Sequence, residues 1–186
     1  LNTPPLSLGQ LTWRRFRRHK MAMFGAVTLI LLLFYSFGGA FFFPEAYANN
    51  ADTPSRLASP SASHPFGTDT IGRDTLARTI YGGQISLIIG VLAVLIENII
   101  GILVGALAGY YGGLVDSILM RITEAMLNIP EIFLLIVMAK FFGGEIPDIV
   151  FLGSNYSGSV VVIVLIIGVT SWMYLARIVR AEFLSL

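Results

Sequence analysis

The chain has 186 residues, of which 55% are hydrophobic and 12% are charged, and its formal net charge is +1. A soluble domain of this size cannot bury so much apolar surface in one core, so the composition predicts a membrane protein. The sequence has no cysteine and two separated histidines, which excludes disulfides, thiolate metal sites and a histidine metal cluster. The charge is unevenly placed, because five basic residues crowd together near the N-terminus: Arg14, Arg15, Arg17, Arg18 and Lys20.

The first predicted elements are a cytoplasmic segment over residues 1–20 and a transmembrane span over 21–43. Basic residues beside a span are retained in the cytoplasm, so this span is predicted to run outward. A cleaved signal peptide is the competing interpretation, because Ala46-Tyr47-Ala48 resembles a cleavage site. The apolar run before it is much longer than the about 7–15 residues of a signal peptide, which favours a retained span.

An external loop with a short helix is predicted over residues 44–84. Its first part contains Pro44, Pro54, Pro60 and Pro65, and proline interrupts regular structure. After this part the apolar residues are spaced like one face of a helix: Ile71, Leu76, Ile80 and Tyr81. We therefore expect a short amphipathic helix at the outer interface, whose simplest role is to anchor the loop.

The second predicted span, 85–110, carries small and polar residues. The small residues recur every four positions, a pattern that lets another helix approach closely: Gly101, Gly105 and Gly109. Glu97 precedes them on the same face, so it is predicted to face protein, and Asn98 adds a second polar group. A charged residue in a span costs about 2.5–3.5 kcal/mol on insertion scales. Glu97 is therefore a candidate for the translocation path, or for an acid that locks two helices together.

The third predicted span, 119–142, follows a cytoplasmic turn and is more polar. Its polar residues step along one helical stripe: Ser117, Arg121, Glu124, Asn128 and Glu131. Arg121 and Glu124 are spaced to form an ion pair. Pro130 lies between Asn128 and Glu131 and is predicted to kink the helix. A kink beside polar groups suits a moving gate or a cavity wall, and a stripe packed against a partner helix is the alternative.

The remaining predicted elements are an external loop over 143–158, a fourth span over 159–176 and a cytoplasmic segment over 177–186. Glu145 and Asp148, without a basic residue in their loop, agree with an external position. The four spans together predict an all-α, polytopic bundle of transmembrane helices.

Sequence motifs for catalysis are absent. There is no glycine-rich phosphate loop followed by Lys-Ser/Thr, no histidine pair at metal spacing and no nucleophile elbow. The chain is therefore predicted not to be an enzyme and to bind no metal. Two functions compatible with the residues are an ion-coupled secondary transporter or channel, which would use Glu97, Glu131 and Arg121, and a non-transporting membrane anchor.

Four ordered motifs extend over nearly the whole chain. The most specific covers residues 64–78, which read His-Pro-Phe-Gly-Thr-Asp-Thr-Ile-Gly-Arg-Asp-Thr-Leu-Ala-Arg. The others are Gly109-Tyr110-Tyr111-Gly112-Gly113 with Asp116, Asn128-Ile129-Pro130, and Thr170-Ser171-Trp172 through Arg180 to Leu184-Ser185-Leu186. In this order they closely resemble the permeases of oligopeptide/dipeptide ABC importers, and the chain is similar to their C-type subunit.

This resemblance implies the fold and the partners of a type I ABC importer permease. The partners would be a homologous second permease subunit, two cytoplasmic ATPase subunits that hold ATP and Mg, and an external solute-binding protein. The chain itself would bind no cofactor, and it would lie in the inner membrane of a prokaryote with its N-terminus inside. Peptides are the commonest cargo of such systems, and related ones carry nickel, opines or glutathione.

The resemblance also assigns residues. The external family motif includes His64, Gly67, Thr68, Asp69, Gly72, Arg73 and Asp74. Three residues would lie nearest to the region that couples the permease to the ATPases: Arg177, Arg180 and Glu182. In the family a coupling helix and two further spans follow. We therefore expect four spans of six, in a subunit that is truncated before the coupling motif and cannot transport alone.

Overall fold

The computed structural model describes residues 7–142, 144–151 and 154–185. The predicted assignments that fall on residues 1–6, 143, 152–153 and 186 lie outside the described residues. By its internal contacts the chain divides into an N-terminal unit, Leu1–Gln84, and a C-terminal unit, Ile85–Leu186. The described chain is predominantly helical, which confirms the predicted fold class.

The N-terminal unit begins with two helices that a single residue joins. Helix α1 (Leu8–Arg18) starts at a capping box, in which Ser7 and Gln10 each accept a hydrogen bond from the backbone of the other. It ends because His19 is extended. Nδ1 of His19 accepts a hydrogen bond from the Ala22 amide over 3.1 Å, so His19 also caps helix α2 (Lys20–Leu33).

Helix α2 continues into a π-helical turn, Phe34–Gly38. Ser36 in this turn is buried, and its carbonyl oxygen accepts a hydrogen bond of 2.8 Å from the Nε2 atom of Gln84. Gly83 lies so close to the Ser36 side chain that a Cβ atom at position 83 would collide with it. The end of the first span is therefore tied to the first turns of helix α4. Between them lie the short helix α3 (Glu45–Asn49) and a 3₁₀ turn, Thr53–Ser55.

Helix α4 (Thr75–Tyr111) is continuous over 37 residues. The expected short helix therefore has no end of its own, because the residues from Thr75 onward are the first turns of α4, and its position at the outer interface stays a prediction. Ile71 lies before the helix begins. No proline interrupts the sequence from 75 to 111. Gly83 lies within the helix, and its missing side chain leaves room for that of Ser36. At 1.5 Å per residue the helix is about 55 Å long, which exceeds a hydrocarbon core of about 30 Å.

The C-terminal unit contains a sharp corner where one kinked span was predicted. Helix α5 (Gly113–Leu127) follows a turn in which Gly112 and Gly113 have φ angles of 60° and 53°, a conformation that favours glycine. Helix α6 (Glu131–Phe142) begins after Pro130, and its axis is bent by 79° from that of α5. The kink predicted at Pro130 is therefore a break between two helices. Pro130 lacks an amide hydrogen, so the ladder of α5 cannot continue through it.

The last elements differ from the prediction in extent. Two short antiparallel strands, β1 (Ile149–Phe151) and β2 (Ser154–Tyr156), occupy the stretch predicted to be only a loop. Helix α7 (Gly158–Leu184) then runs past the predicted end of the fourth span, so residues 177–184 continue the helix.

Among the described residues, three helical stretches are long and apolar enough to cross a membrane: Lys20–Gly38, Thr75–Tyr111 and Gly158–Leu184. The bent pair of α5 and α6 makes a fourth if it counts as one broken span. The predicted boundaries of the loops and spans stay predictions, because the structure contains no bilayer.

Candidate functional site

Helices α4 and α7 approach each other so closely that no side chain fits at the glycines. A Cβ atom on Gly101 would lie 2.9 Å from Cβ of Leu175, and one on Gly105 would lie 2.5 Å from the carbonyl oxygen of Ala176. Gly109 is also packed against α7. The predicted glycine ridge is therefore the line along which the backbone of α4 meets α7.

Helix α7 contributes a glycine of its own to this contact. A Cβ atom on Gly168 would lie 2.6 Å from Cβ of Ile96. The sequence pattern alone does not single out Gly168, because no second small residue stands four positions away.

Further along α7, three buried residues form an apolar cluster: Trp172, Met173 and Ala176. Residues of α4 and α5 pack against it: Ile100, Val104, Met126 and Leu127. Helix α7 therefore packs against both α4 and α5.

Glu97 lies on the side of α4 that faces α7. It is only partly exposed, and it stands between Ile96, which contacts Gly168, and Gly101, which contacts Leu175. Among the described residues its carboxylate has no hydrogen-bond or ion-pair partner. Asn98 differs, because its Nδ2 atom donates to the Val94 carbonyl oxygen over 2.7 Å within the same helix.

A cavity of about 290 Å³ opens at the corner between α5 and α6, against α7. Apolar and polar side chains line it, among them Met126, Pro130, Glu131, Thr170, Met173 and Tyr174. The Thr170 hydroxyl lies 3.1 Å from Oε1 of Glu131 and 2.7 Å from the Ile166 carbonyl oxygen. One hydroxyl carries one hydrogen and cannot serve both acceptors fully. The carboxylate of Glu131 therefore keeps hydrogen-bonding capacity that faces the cavity.

The four predicted pathway residues do not gather at this cavity. Glu131 lines it, whereas Asn128, Glu97 and Asn98 do not. The Nδ2 atom of Asn128 donates to the Glu124 carbonyl oxygen over 2.7 Å, which satisfies one of the last carbonyls of α5. The structure therefore gives Asn128 a role in ending α5 at the break.

Arg180 and Asp116 join α7 to α5 through two hydrogen bonds. Nε of Arg180 donates to one carboxylate oxygen of Asp116, and Nη2 donates to the other over 2.5 Å. This two-point geometry is the strongest form of a charged pair. Arg180 was predicted to lie in the ATPase-coupling region, but its guanidinium is engaged by Asp116 within the chain.

The ion pair for which Arg121 and Glu124 are spaced is not formed in the described structure, and both side chains are exposed. Arg177 and Glu182, the other residues assigned to the coupling region, are exposed on α7.

Asp69 of the external motif accepts three hydrogen bonds from its own turn. Oδ1 of Asp69 accepts hydrogen bonds from the Ile71 and Arg73 amides over 3.0 and 2.9 Å, and Oδ2 accepts one from Nε of Arg73 over 2.7 Å. The Arg73 amide is the largest of the influences that lower the pKa of Asp69 from 3.8 to about 2.

The rest of the external motif caps helix α4. Oδ1 of buried Asp74 accepts a hydrogen bond from the Ala77 amide over 2.8 Å, as an N-cap residue does. Its Oδ2 lies 2.9 Å from Nδ1 of His64. The Thr68 hydroxyl donates to the Ser55 carbonyl oxygen and accepts from a backbone amide of the preceding loop. The motif residues are therefore used to fold residues 44–84, which are predicted to lie outside and are named the external segment for that reason.

A second cavity, of about 330 Å³, lies in this external segment and is lined by Tyr47, Asn50, Asp52, His64 and Asp74. Burial, followed by the charge of Asp74, raises the pKa of Tyr47. In the part of the chain that the structure describes, no three His, Asp or Glu side chains are grouped so as to hold a metal ion.

Two family profiles match the chain. Residues 7–60 match the N-terminal TM domain of oligopeptide transport permease C, and residues 101–186 match the binding-protein-dependent transport system inner membrane component. The chain belongs to this permease family. The resemblance read from the sequence motifs is thereby confirmed, and the permease is a multi-pass membrane protein of a transport family.

Curated relatives agree with this assignment. The chain is 38% identical to the dipeptide transport system permease protein DppC of Bacillus subtilis over 98% of its own length and 52% of the relative. It is 36% identical to the oligopeptide transport system permease protein OppC of Haemophilus influenzae over 97% of the chain and 54% of the relative. It is also 35% identical to the glutathione transport system permease protein GsiD of Pectobacterium atrosepticum over 74% of the chain and 46% of the relative. The chain thus spans about half the length of the curated relatives it matches.

Proposed function

We propose that the chain forms part of the translocation path of an ATP-binding-cassette importer for peptides or similar small solutes. The observation that carries this proposal is the cavity at the corner between α5 and α6, into which Glu131 presents a partly satisfied carboxylate. Non-helical backbone at membrane depth is tolerated where it is buried in protein or lines a water-filled cavity. A broken helix beside a polar cavity is therefore the arrangement in which such backbone can line a translocation path.

The packing of α7 supports a mechanism of alternating access. Helix α7 meets α4 along the glycines, meets α5 through Arg180 and Asp116, and contributes Thr170 to the cavity. A displacement of α7 would therefore change the cavity and both contacts together. Each state of such a transporter is favoured by different contacts, and partner ATPases would supply the energy that shifts the balance.

The partners follow from the family and are part of the proposal. We infer a homologous second permease subunit, two cytoplasmic ATPase subunits that bind ATP and Mg, and an external solute-binding protein. The membrane would be the inner membrane of a prokaryote, with the arginine-rich N-terminus inside. The names of the relatives, which include dipeptide, oligopeptide and glutathione permeases, support small peptides as the cargo class.

Transport by the complete complex in proteoliposomes tests the proposal. Glu131→Gln keeps the size of the side chain but removes its charge. In this proposal the unused acceptor capacity of Glu131 binds the cargo, and the loss of one such charged hydrogen bond, worth about 1.5–3 kcal/mol, predicts ATP-dependent peptide uptake lowered about tenfold or more. Glu124→Gln is the matched control, because Glu124 is an exposed acid of the same stripe. Its uptake should stay within about twofold of the unmodified complex.

Two results would contradict the proposal. Equal uptake by the Glu131→Gln and Glu124→Gln complexes would remove Glu131 from the path. Uptake that survives without ATP and collapses with an ion gradient would instead favour a secondary transporter.

Position 182 gives a separate test of the coupling region, since a cysteine at Glu182 should crosslink to an ATPase subunit in at least one nucleotide state.

A further inference from the structure

Helix α1 has two faces of different chemistry. At 100° per residue, one face contains Gln10 and three arginines: Arg14, Arg17 and Arg18. The opposite face contains Thr12, Phe16 and a fourth arginine, Arg15, and Leu11 and Trp13 lie at its two boundaries. The helix contains no acidic residue. A helix with a basic face and an aromatic face is typical of segments that lie in the plane of a membrane surface.

Trp13 marks the boundary between the two faces. Its side chain is 58% exposed, its ring stacks on that of Phe16 at 5.7 Å, and the Arg17 guanidinium carbon lies 6.0 Å from the ring centroid. An indole prefers the membrane interface, where its apolar ring is buried and its N–H stays near water. The arginine beside it would then lie at the depth of the lipid headgroups.

The connection to α2 fixes where α1 can be. His19 is the single residue between the two helices, and the apolar stretch of α2 begins at Met21. Two residues, His19 and Lys20, separate Arg18 from Met21, and the three steps along the chain span at most about 11 Å. The headgroup region on each side of a bilayer is about 5–8 Å thick. The C-terminal end of α1 is therefore held within reach of the headgroups wherever α2 enters the membrane.

We infer that α1 docks on the membrane surface, with Trp13 and Phe16 toward the acyl chains, and that Arg14, Arg17 and Arg18 bind the headgroups of anionic phospholipids. Charge complementarity selects this occupant, because basic clusters beside a span are attracted to anionic lipid. The exposed indole of Trp13 favours a lipid surface, because tryptophan is enriched at the membrane–water interface, where its ring and its N–H both find partners.

Trp13 itself reports the docking. The full chain is placed in nanodiscs of phosphatidylcholine with or without phosphatidylglycerol, and quenching by neutral acrylamide is measured. The chain has two tryptophans, so the signal of Trp172 is subtracted by means of the Trp13→Phe variant. We expect phosphatidylglycerol to lower the quenching of Trp13 about twofold or more. Salt of about 1 M, which reduces the Debye length to about 3 Å, should reverse most of this protection.

A double substitution tests the arginines. Arg14→Gln/Arg18→Gln should abolish the effect of phosphatidylglycerol, and Arg17 is kept because it contacts the reporter ring. Arg56→Gln/Arg78→Gln, which removes two exposed charges of the external segment, is the matched control and should keep the effect. Circular dichroism of each variant checks that the helices are intact.

Three results would overturn the inference. The first is quenching of Trp13 that does not change with phosphatidylglycerol. The second is protection that the double arginine variant retains. The third is protection that appears only after the ATPase subunits are added, which would assign the basic face to a protein partner. None of these outcomes depends on transport, so the proposed importer function is tested separately.

Discussion

The external segment and the corner between α5 and α6 are both rich in polar residues, but they use them differently. In the external segment Asp69 accepts three hydrogen bonds and Asp74 is buried between an amide and His64. At the corner Glu131 shares one hydroxyl with a backbone carbonyl and faces a cavity. A polar group whose partners are complete holds the fold together, whereas a group with unused capacity is available to a ligand. The density of polar residues alone does not distinguish the two.

The largest expected effect is on the folding of the external segment. Gly72 has a φ angle of 86°, and a Cβ atom there would collide with the Asp52 backbone. Gly72→Ala should therefore destabilise the segment by about 3 kcal/mol, measured as faster proteolysis of the loop in the folded protein. Gly82→Ala is the control, because nothing lies within 4 Å of a Cβ atom there. Equal proteolysis of the two variants would show that the segment is not held as described.

The Asp116–Arg180 pair tests whether charged groups with complete hydrogen-bond partners also stabilise the C-terminal unit. Asp116→Asn and Arg180→Gln should each lower ATP-dependent uptake about tenfold, because each leaves a partly buried charge without its partner. The charge-swapped variant Asp116→Arg/Arg180→Asp should recover much of that activity. A double variant no better than the single ones would exclude the pair as the cause.

The acid stability of the external segment should depend on Asp69. Its pKa of about 2 lies below the usual 3.8, so ionised Asp69 stabilises the folded segment above pH 3.8. This contribution should be lost as the pH falls from 3.8 toward about 2. Hydrogen exchange of the Ile71 and Arg73 amides should accelerate in that window, in addition to its ordinary pH dependence. Asp69→Asn should remove the acceleration, and an unchanged profile would contradict the role of this carboxylate.

The smallest expected effect on stability is that of Glu131→Gln. Because Glu131 is exposed and only partly satisfied, its replacement should change the free energy of unfolding by less than about 0.5 kcal/mol. The same variant is expected to lower uptake, so activity and stability should separate at this position. A loss of stability as large as that of Gly72→Ala would place Glu131 among the structural residues.

Local sequence patterns predicted the helical membrane class and the role of the α4 glycines in helix packing. Apolar length and the four-residue glycine spacing are properties of one segment, and they can be read without knowing the rest of the chain. The break at Pro130 was also predicted, because proline removes a specific hydrogen bond. Its size was not, since the 79° bend also depends on what α5 and α6 pack against.

Features that depend on distant partners could not be read from the sequence. The pairing of Arg180 with Asp116 joins residues 64 positions apart, and Gly168 is explained only by its contact with Ile96. The need for glycine at position 83 is likewise explained only by the side chain of Ser36, which lies in another helix. The strands Ile149–Phe151 and Ser154–Tyr156 are three residues long each, too short for a periodic signal.

The corner at Pro130 also brings together two helix ends of opposite polarity. Aligned peptide dipoles leave a partial negative charge at the last carbonyls of α5 and a partial positive charge at the first amides of α6. The sign of the local electric field therefore reverses within a few residues. A zwitterion, with an ammonium at one end and a carboxylate at the other, can interact favourably with both helix ends at once. An ion of a single sign can interact favourably with only one of them.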